Sequence, residues 1–175
     1  MSKEKERSLQ MLASALELEE KGRAFYEKAA LECHNELGKE IFSLLKDYEI
    51  SHAESIKKIY QSLEGGAAWS EEWISVQPVD DLPIVFKRLA EKHASHIKPA
   101  SDLEALETGL ELEESSIRFY DKHMIEASEP LEKKFIEQML MEEREHFRIL
   151  ADMKFFYSDP EGWLMEKEHL QLDGA

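Results

Sequence analysis

The chain is predicted to be all-α: a four-helix bundle built from two repeated antiparallel helix hairpins, with a long crossover that carries a short helix and a further short helix at the C-terminal end. Three observations predict this. Apolar residues recur in steps of three and four along four long segments, the period of one helix face. Leu16-Glu17-Leu18-Glu19-Glu20, Phe25-Tyr26 and Glu49-x-x-His52 recur without insertion 94 residues later, as Leu110-Glu111-Leu112-Glu113-Glu114, Phe119-Tyr120 and Glu143-x-x-His146. Glycine and proline are few, 7 and 5 in 175 residues, so little interrupts those segments.

The first helix should span residues 5–33, with the stripe Leu12, Leu16, Glu19, Tyr26, Ala30. It is the less regular copy, since Gly22 and Arg23 stand where the second repeat has Ser116 and Ile117. His34-Asn35 makes a tight link, with Asn35 as N-cap of a second helix over 36–62 whose stripe is Leu45, Glu49, His52, Ile56, Ile59. Residues 63–100 are too long for an ordinary loop and read as a crossover. Gly65-Gly66, Pro78, Pro83 and Pro99 bracket an amphipathic stretch, Ile84, Phe86, Leu89, Ala90, His93, Ile97, expected to lie as a short helix on the bundle. Trp69 and Trp73 should pack this crossover against the bundle. His93 and His96 have no repeat partner, so they are not read as a site.

The third helix should begin after Pro99, capped by Ser101 or Asp102, with the stripe Leu103, Leu106, Leu110, Glu113, Ile117, Tyr120, Met124. The fourth starts at Glu129-Pro130, with proline at a permitted first-turn position, and its stripe is Phe135, Met139, Glu143, His146, Leu150, Met153. In the tail, Asp159-Pro160 signals another helix start, with Trp163, Leu164 and Leu170 inward and Glu166, Glu168 and His169 on a solvated face. At 175 residues one domain is expected: repeat 1 over 5–62, crossover 63–100, repeat 2 over 101–157, tail 158–175.

Six of the stripe residues carry chemistry. Glu19, Glu49, Glu113 and Glu143 occupy core positions, and His52 and His146 follow two of them by one turn. Ionised glutamates in a core cost several kcal/mol each unless paired or metal-bound. Two divalent iron ions per chain, formal charge +4, would balance four carboxylates while neutral imidazoles complete the donor set. Carboxylate and imidazole also suit manganese and zinc.

Composition bounds the alternatives. Lys+Arg 22 against Asp+Glu 38 gives −16, which argues against nucleic acid or an anionic membrane as partner. The single cysteine, Cys33, excludes an intramolecular disulfide and any Cys-x-x-Cys metal module; its repeat counterpart is Ala127, so it reads as a small packing residue. No apolar run approaches the ~18 residues of a membrane span, and a cytoplasmic protein is expected.

Glu19 seven residues before Tyr26, Glu49-x-x-His52, Glu113 seven before Tyr120 and Glu143-x-x-His146 together resemble the four-helix di-iron motif of the rubrerythrin-like branch of the ferritin-like superfamily. The resemblance covers essentially the whole bundle. It implies that Glu49 and Glu143 bridge two irons, that Glu19, Glu113, His52 and His146 are terminal ligands, and that Tyr26 and Tyr120 hydrogen-bond ligand carboxylates. It further implies an oxidoreductase reducing peroxide or dioxygen. Two departures matter. The rubredoxin module of rubrerythrins proper, with its paired Cys-x-x-Cys, is absent from this sequence, so electrons are expected from an external donor such as a rubredoxin-like protein. Where rubrerythrins proper carry a further glutamate one turn after the third helix's ligand, this chain has Ser116.

Two other function classes compete: iron handling by ferroxidation followed by storage or transfer, and a non-catalytic metal-binding bundle. The internal repeat and the missing fifth-helix pattern of ferritins point to a small oligomer, a homodimer, rather than a storage shell.

Overall fold

A computed structural model describes residues 3–71, 82–93 and 102–172, the side chains of 168–172 excepted. Among the described residues there are six helices and no strand: α1 (Lys3–Glu32), α2 (Glu36–Glu64), α3 (Leu82–His93), α4 (Leu103–Glu126), α5 (Pro130–Ser158) and α6 (Pro160–Leu172). The four long helices begin and end within a few residues of the periodic segments. Trp73, His96, Ile97 and Ser101, and the side chains of Glu168, His169 and Leu170, lie outside the described residues.

Helix directions follow from side-chain pairs at matched heights. Glu19 meets His52 and Tyr26 stacks on Phe42, while Glu107 and Asp121 meet Lys154 and Arg144, so α1/α2 and α4/α5 are antiparallel hairpins. Tyr26 meets Glu113 and Tyr120 meets Glu19, so α1 and α4 also run antiparallel. Packing is closest within each hairpin, while α1 and α4 share a looser seam. That looseness modifies one expectation: along the α4 stripe only Leu106, Glu113 and Tyr120 are buried, whereas Leu103, Leu110, Ile117 and Met124 are half-buried.

The apolar interior divides into two clusters. One holds Tyr26, Leu37, Phe42, Leu45, Leu150 and Met153 together with residues of α3 and α6. The other holds Leu12, Ile56, Ile59, Tyr120, Phe135 and Met139. Between them, at mid-length, lies a belt of buried carboxylates and imidazoles. Burying apolar surface stabilises by about 25 cal/mol per Å², and the two clusters flank the polar belt and hold it away from both ends of the bundle.

The end signals act differently from the sequence expectation at two places. Asn35 and Asp102 occupy the N-cap positions of α2 and α4, but neither side chain caps its own helix. Asp102, 3% exposed, instead accepts from the backbone N–H groups of His34 at 3.0 Å and Asn35 at 3.2 Å and from the Asn35 side chain. The α1–α2 link lies against the start of α4, and a carboxylate buried there satisfies two otherwise stranded backbone donors at once. Glu129 and Asp159 do cap their helices, accepting from Glu132 N–H and Gly162 N–H at 2.8 and 2.9 Å.

Helix α6 docks on its own bundle. Trp163 is 1% exposed and sits 5.2 Å, ring to ring, from both Phe86 of α3 and Phe156 of α5, all near-perpendicular. Trp69 likewise tilts onto Phe135 at 5.8 Å, tying the start of the crossover to α5. His93 bonds Glu40 at 3.1 Å and pins α3 to α2. Cys33 is buried, with burial pushing its thiol up to about 12, which leaves it unreactive.

Candidate metal centre

Glu19, Glu49, His52, Glu113, Glu143 and His146 converge at the middle of the bundle, each 3% exposed or less. α1 and α4 contribute one glutamate each, and α2 and α5 contribute the Glu-x-x-His pairs, because a spacing of three residues puts carboxylate and imidazole on one face one turn apart. Two donor groups result, in each of which the ligand atoms lie within 4.8 Å of one another: Glu19, Glu49, His52, Glu143, and Glu49, Glu113, Glu143, His146. Glu49 and Glu143 belong to both.

Both imidazoles aim Nδ1 at the carboxylates. His52 Nδ1 lies 3.0 Å from Glu19 and 3.5 Å from Glu143; His146 Nδ1 lies 3.6 Å from Glu49 and 3.7 Å from Glu113. The two rings are stacked, with centroids 5.6 Å apart. The tyrosine bonds cross between repeats: Tyr26 donates to Glu113, and Tyr120 donates to Glu19 at 2.6 Å. Each tyrosine ring sits in one apolar cluster and sends only its hydroxyl into the belt. Burial and the neighbouring carboxylates push both phenols well up, so they stay protonated donors.

Without cations the belt has to solve its charge problem with protons. Burial, reinforced by the charges of Glu19 and Glu113, drives Glu49 and Glu143 well above the usual carboxylate range. Burial likewise raises Glu113 to about 7 despite stabilising bonds from Glu143 and Tyr26. Burial opposes ionisation of Glu19 too, but bonding to His52 outweighs it and leaves that carboxyl lowered. His52 is the counterpart: burial disfavours its cation, yet Glu142 and Glu19 lift it to about 10. His146, buried and beside His52, is held well below its ordinary value. Three carboxyls that retain protons when no cation is present are a poor static arrangement and a good acceptor for divalent ions, which replace those protons.

The donor chemistry fits such ions. Among the described residues Glu143 Oε1 and both ring nitrogens of His146 are buried without a hydrogen-bond partner, and buried polar atoms are seldom left so. All are aimed into, or belong to residues lining, the shared carboxylate belt.

Two residues of the site carry no stripe signal. Gly22 lies one turn beyond Glu19, and a Cβ there would come within 2.7 Å of Glu49 Oε2, so the missing side chain is what lets that carboxylate lie against α1. The irregularity of the first repeat at this position was the available clue. Glu142 lies off the α5 stripe yet bonds His52 Nε2 at 2.6 Å. Nothing in the linear pattern distinguishes it from the many surface glutamates. Arg23, the other irregular position, faces outward and pairs with Glu20 and Glu27; Ser116 is half-buried.

A family model described as Rubrerythrin matches residues 10–154, spanning all six converging residues. Comparison with curated proteins and with solved structures gives no match.

Proposed function

The chain belongs to the rubrerythrin family, and from that premise we propose that it is a di-iron carboxylate oxidoreductase, reducing peroxide or dioxygen with electrons from a separate donor such as a rubredoxin-like protein. The observation that carries the reading is the pair of overlapping donor groups sharing Glu49 and Glu143.

In this reading Glu49 and Glu143 hold both ions, Glu19 with His52 completes one half of the site, and Glu113 with His146 completes the other. Iron bound there supplies the one-electron redox capacity and Lewis acidity that side chains lack. The protein supplies placement. Tyr26 and Tyr120 hold Glu113 and Glu19 by their hydroxyls, and each bond ties one repeat's ligand to the other repeat, so the two hairpins cannot slide without disturbing both halves. The apolar clusters above and below keep bulk water from the belt. No helix among the described residues is long and apolar enough to cross a membrane. A homodimer is the assembly we propose, and mass measurement in solution checks it.

Elemental analysis of anaerobically purified protein tests the reading: two metal ions per chain are expected, with iron predominating, and Glu113→Ala and His146→Ala should each lower that content. Unchanged stoichiometry in both variants would overturn the ligand assignment. Faster reoxidation of the ferrous protein by peroxide than by oxygen distinguishes a reductase from an iron-handling protein.

A further inference from the structure

The two halves of the centre are related by the 94-residue repeat, but the groups behind their histidines are not. His52 directs Nδ1 into the belt and Nε2 outward to Glu142 Oε2 at 2.6 Å. Glu142 comes from α5, in the opposite hairpin, and its other oxygen accepts from the Gln138 side chain at 3.0 Å, so the carboxylate is itself held in place. Its side chain is 14% exposed. The repeat-equivalent position is Tyr48, which faces His146 with a ring edge at a centroid distance of 5.2 Å. His146 Nε2 has no hydrogen-bond partner among the described residues.

An imidazole that gives Nδ1 to a metal must keep its proton on Nε2. A carboxylate accepting that proton fixes both tautomer and ring angle, and pushes electron density toward Nδ1. It also adds a negative charge behind one half-site alone. A tyrosine edge packs the second ring without doing either.

We propose that Glu142 is a positioning residue for His52 which makes the two half-sites unequal, so that the half-site of Glu19 and His52 fills first and holds its ion more tightly than the half-site of Glu113 and His146. This rests on the di-metal reading above. The sequence repeat thus conceals a functional difference, located in the residue preceding each shared glutamate, Tyr48 before Glu49 and Glu142 before Glu143.

Anaerobic titration of the metal-free protein with Co(II), followed by calorimetry and by the visible ligand-field bands, tests it. Wild type should bind two ions in two resolved steps. In Glu142→Gln the tighter step should weaken by roughly 10- to 100-fold, the usual scale for loss of such an outer partner, and the bands of the first equivalent should shift, while the weaker step stays in place. Glutamine keeps the length and can still accept from Nε2, so a role confined to packing predicts wild-type behaviour. In a Glu113→Ala background, where only the His52 half-site is complete, the remaining step should be the tight one and should respond to Glu142→Gln in the same way. Gln138→Ala, which frees the other oxygen of Glu142, should weaken that step by a smaller factor, and it serves if Glu142→Gln does not fold. Wild type binding two ions with both steps unchanged in Glu142→Gln, or both weakened equally, would overturn the inference and leave the di-metal reading intact. Wild type binding fewer than two ions would overturn that reading itself.

Discussion

Stripping the metal should convert a protein whose stability is nearly flat around neutral pH into one that weakens steadily as pH rises. The sign follows from which state binds protons. Glu113 is raised to about 7, against about 4.3 for an unfolded glutamate, so between those values the folded chain carries a proton that the unfolded chain has lost, and stability falls with rising pH. At about 1.4 kcal/mol per pH unit, this one group removes about 4 kcal/mol across the window. Glu49 and Glu143, raised further still, act in the same sense over a wider range. His146 acts oppositely: held below its unfolded value, it raises stability with pH up to about 6.5, offsetting roughly one of the glutamates. His52, raised to about 10, adds a further decline above about pH 6.5. Glu113 alone accounts for a loss of about 3 kcal/mol between pH 5 and 7, which for a chain of this length lowers the melting temperature by roughly 6–12 °C. Thermal melts of chelator-treated and reloaded protein from pH 5 to 8, followed by circular dichroism, read it directly. Glu113→Gln keeps the shape and removes one titrating group, so its metal-free form should show a shallower slope; this separates the belt from general repulsion among surface carboxylates. A metal-free protein whose melting temperature is independent of pH, or whose slope is untouched by Glu113→Gln, would refute the reasoning.

Gly22→Ala should leave the metal-free helix as stable as before or better by up to about 1 kcal/mol, from propensity, yet lower metal affinity at least tenfold because its Cβ displaces Glu49; melts with and without metal, alongside metal titration, resolve the two effects. Asp102→Ala strands the backbone donors of His34 and Asn35 and should cost about 2–4 kcal/mol by denaturant titration, with little change in metal content. Ser116→Glu places a carboxylate one turn from Glu113 and should accelerate peroxide reduction with a supplied electron donor while leaving ferrous binding nearly unchanged; stopped-flow reoxidation showing equal rates would make Ser116 a packing residue only.

Much of this molecule is written along single helices. Periodicity marks which side of one helix faces inward, so the long helices, the two hairpins and the inward placement of Glu19, Glu49, His52, Glu113, Glu143 and His146 are all legible from residue spacing. The repeat adds that matching sets come from matching heights. Spacing says nothing about what a side chain meets on another helix, because that depends on the axial register and tilt between helices, which are set by packing of the whole core. Hence only the tertiary structure decided that the tyrosines bond across repeats rather than within them, that Glu142 of α5 backs His52 of α2, and that the vacancy at Gly22 is filled by Glu49. The same applies at the ends: Asn35 and Asp102 each carry a capping signal, but the approach of the α1–α2 link to α4 offers them backbone donors and a side-chain partner that local chemistry could not foresee. Trp163 looks in sequence like one side of any docking helix; the aromatic pair Phe86 and Phe156, from segments far apart in the chain, makes its own bundle the place where it is buried.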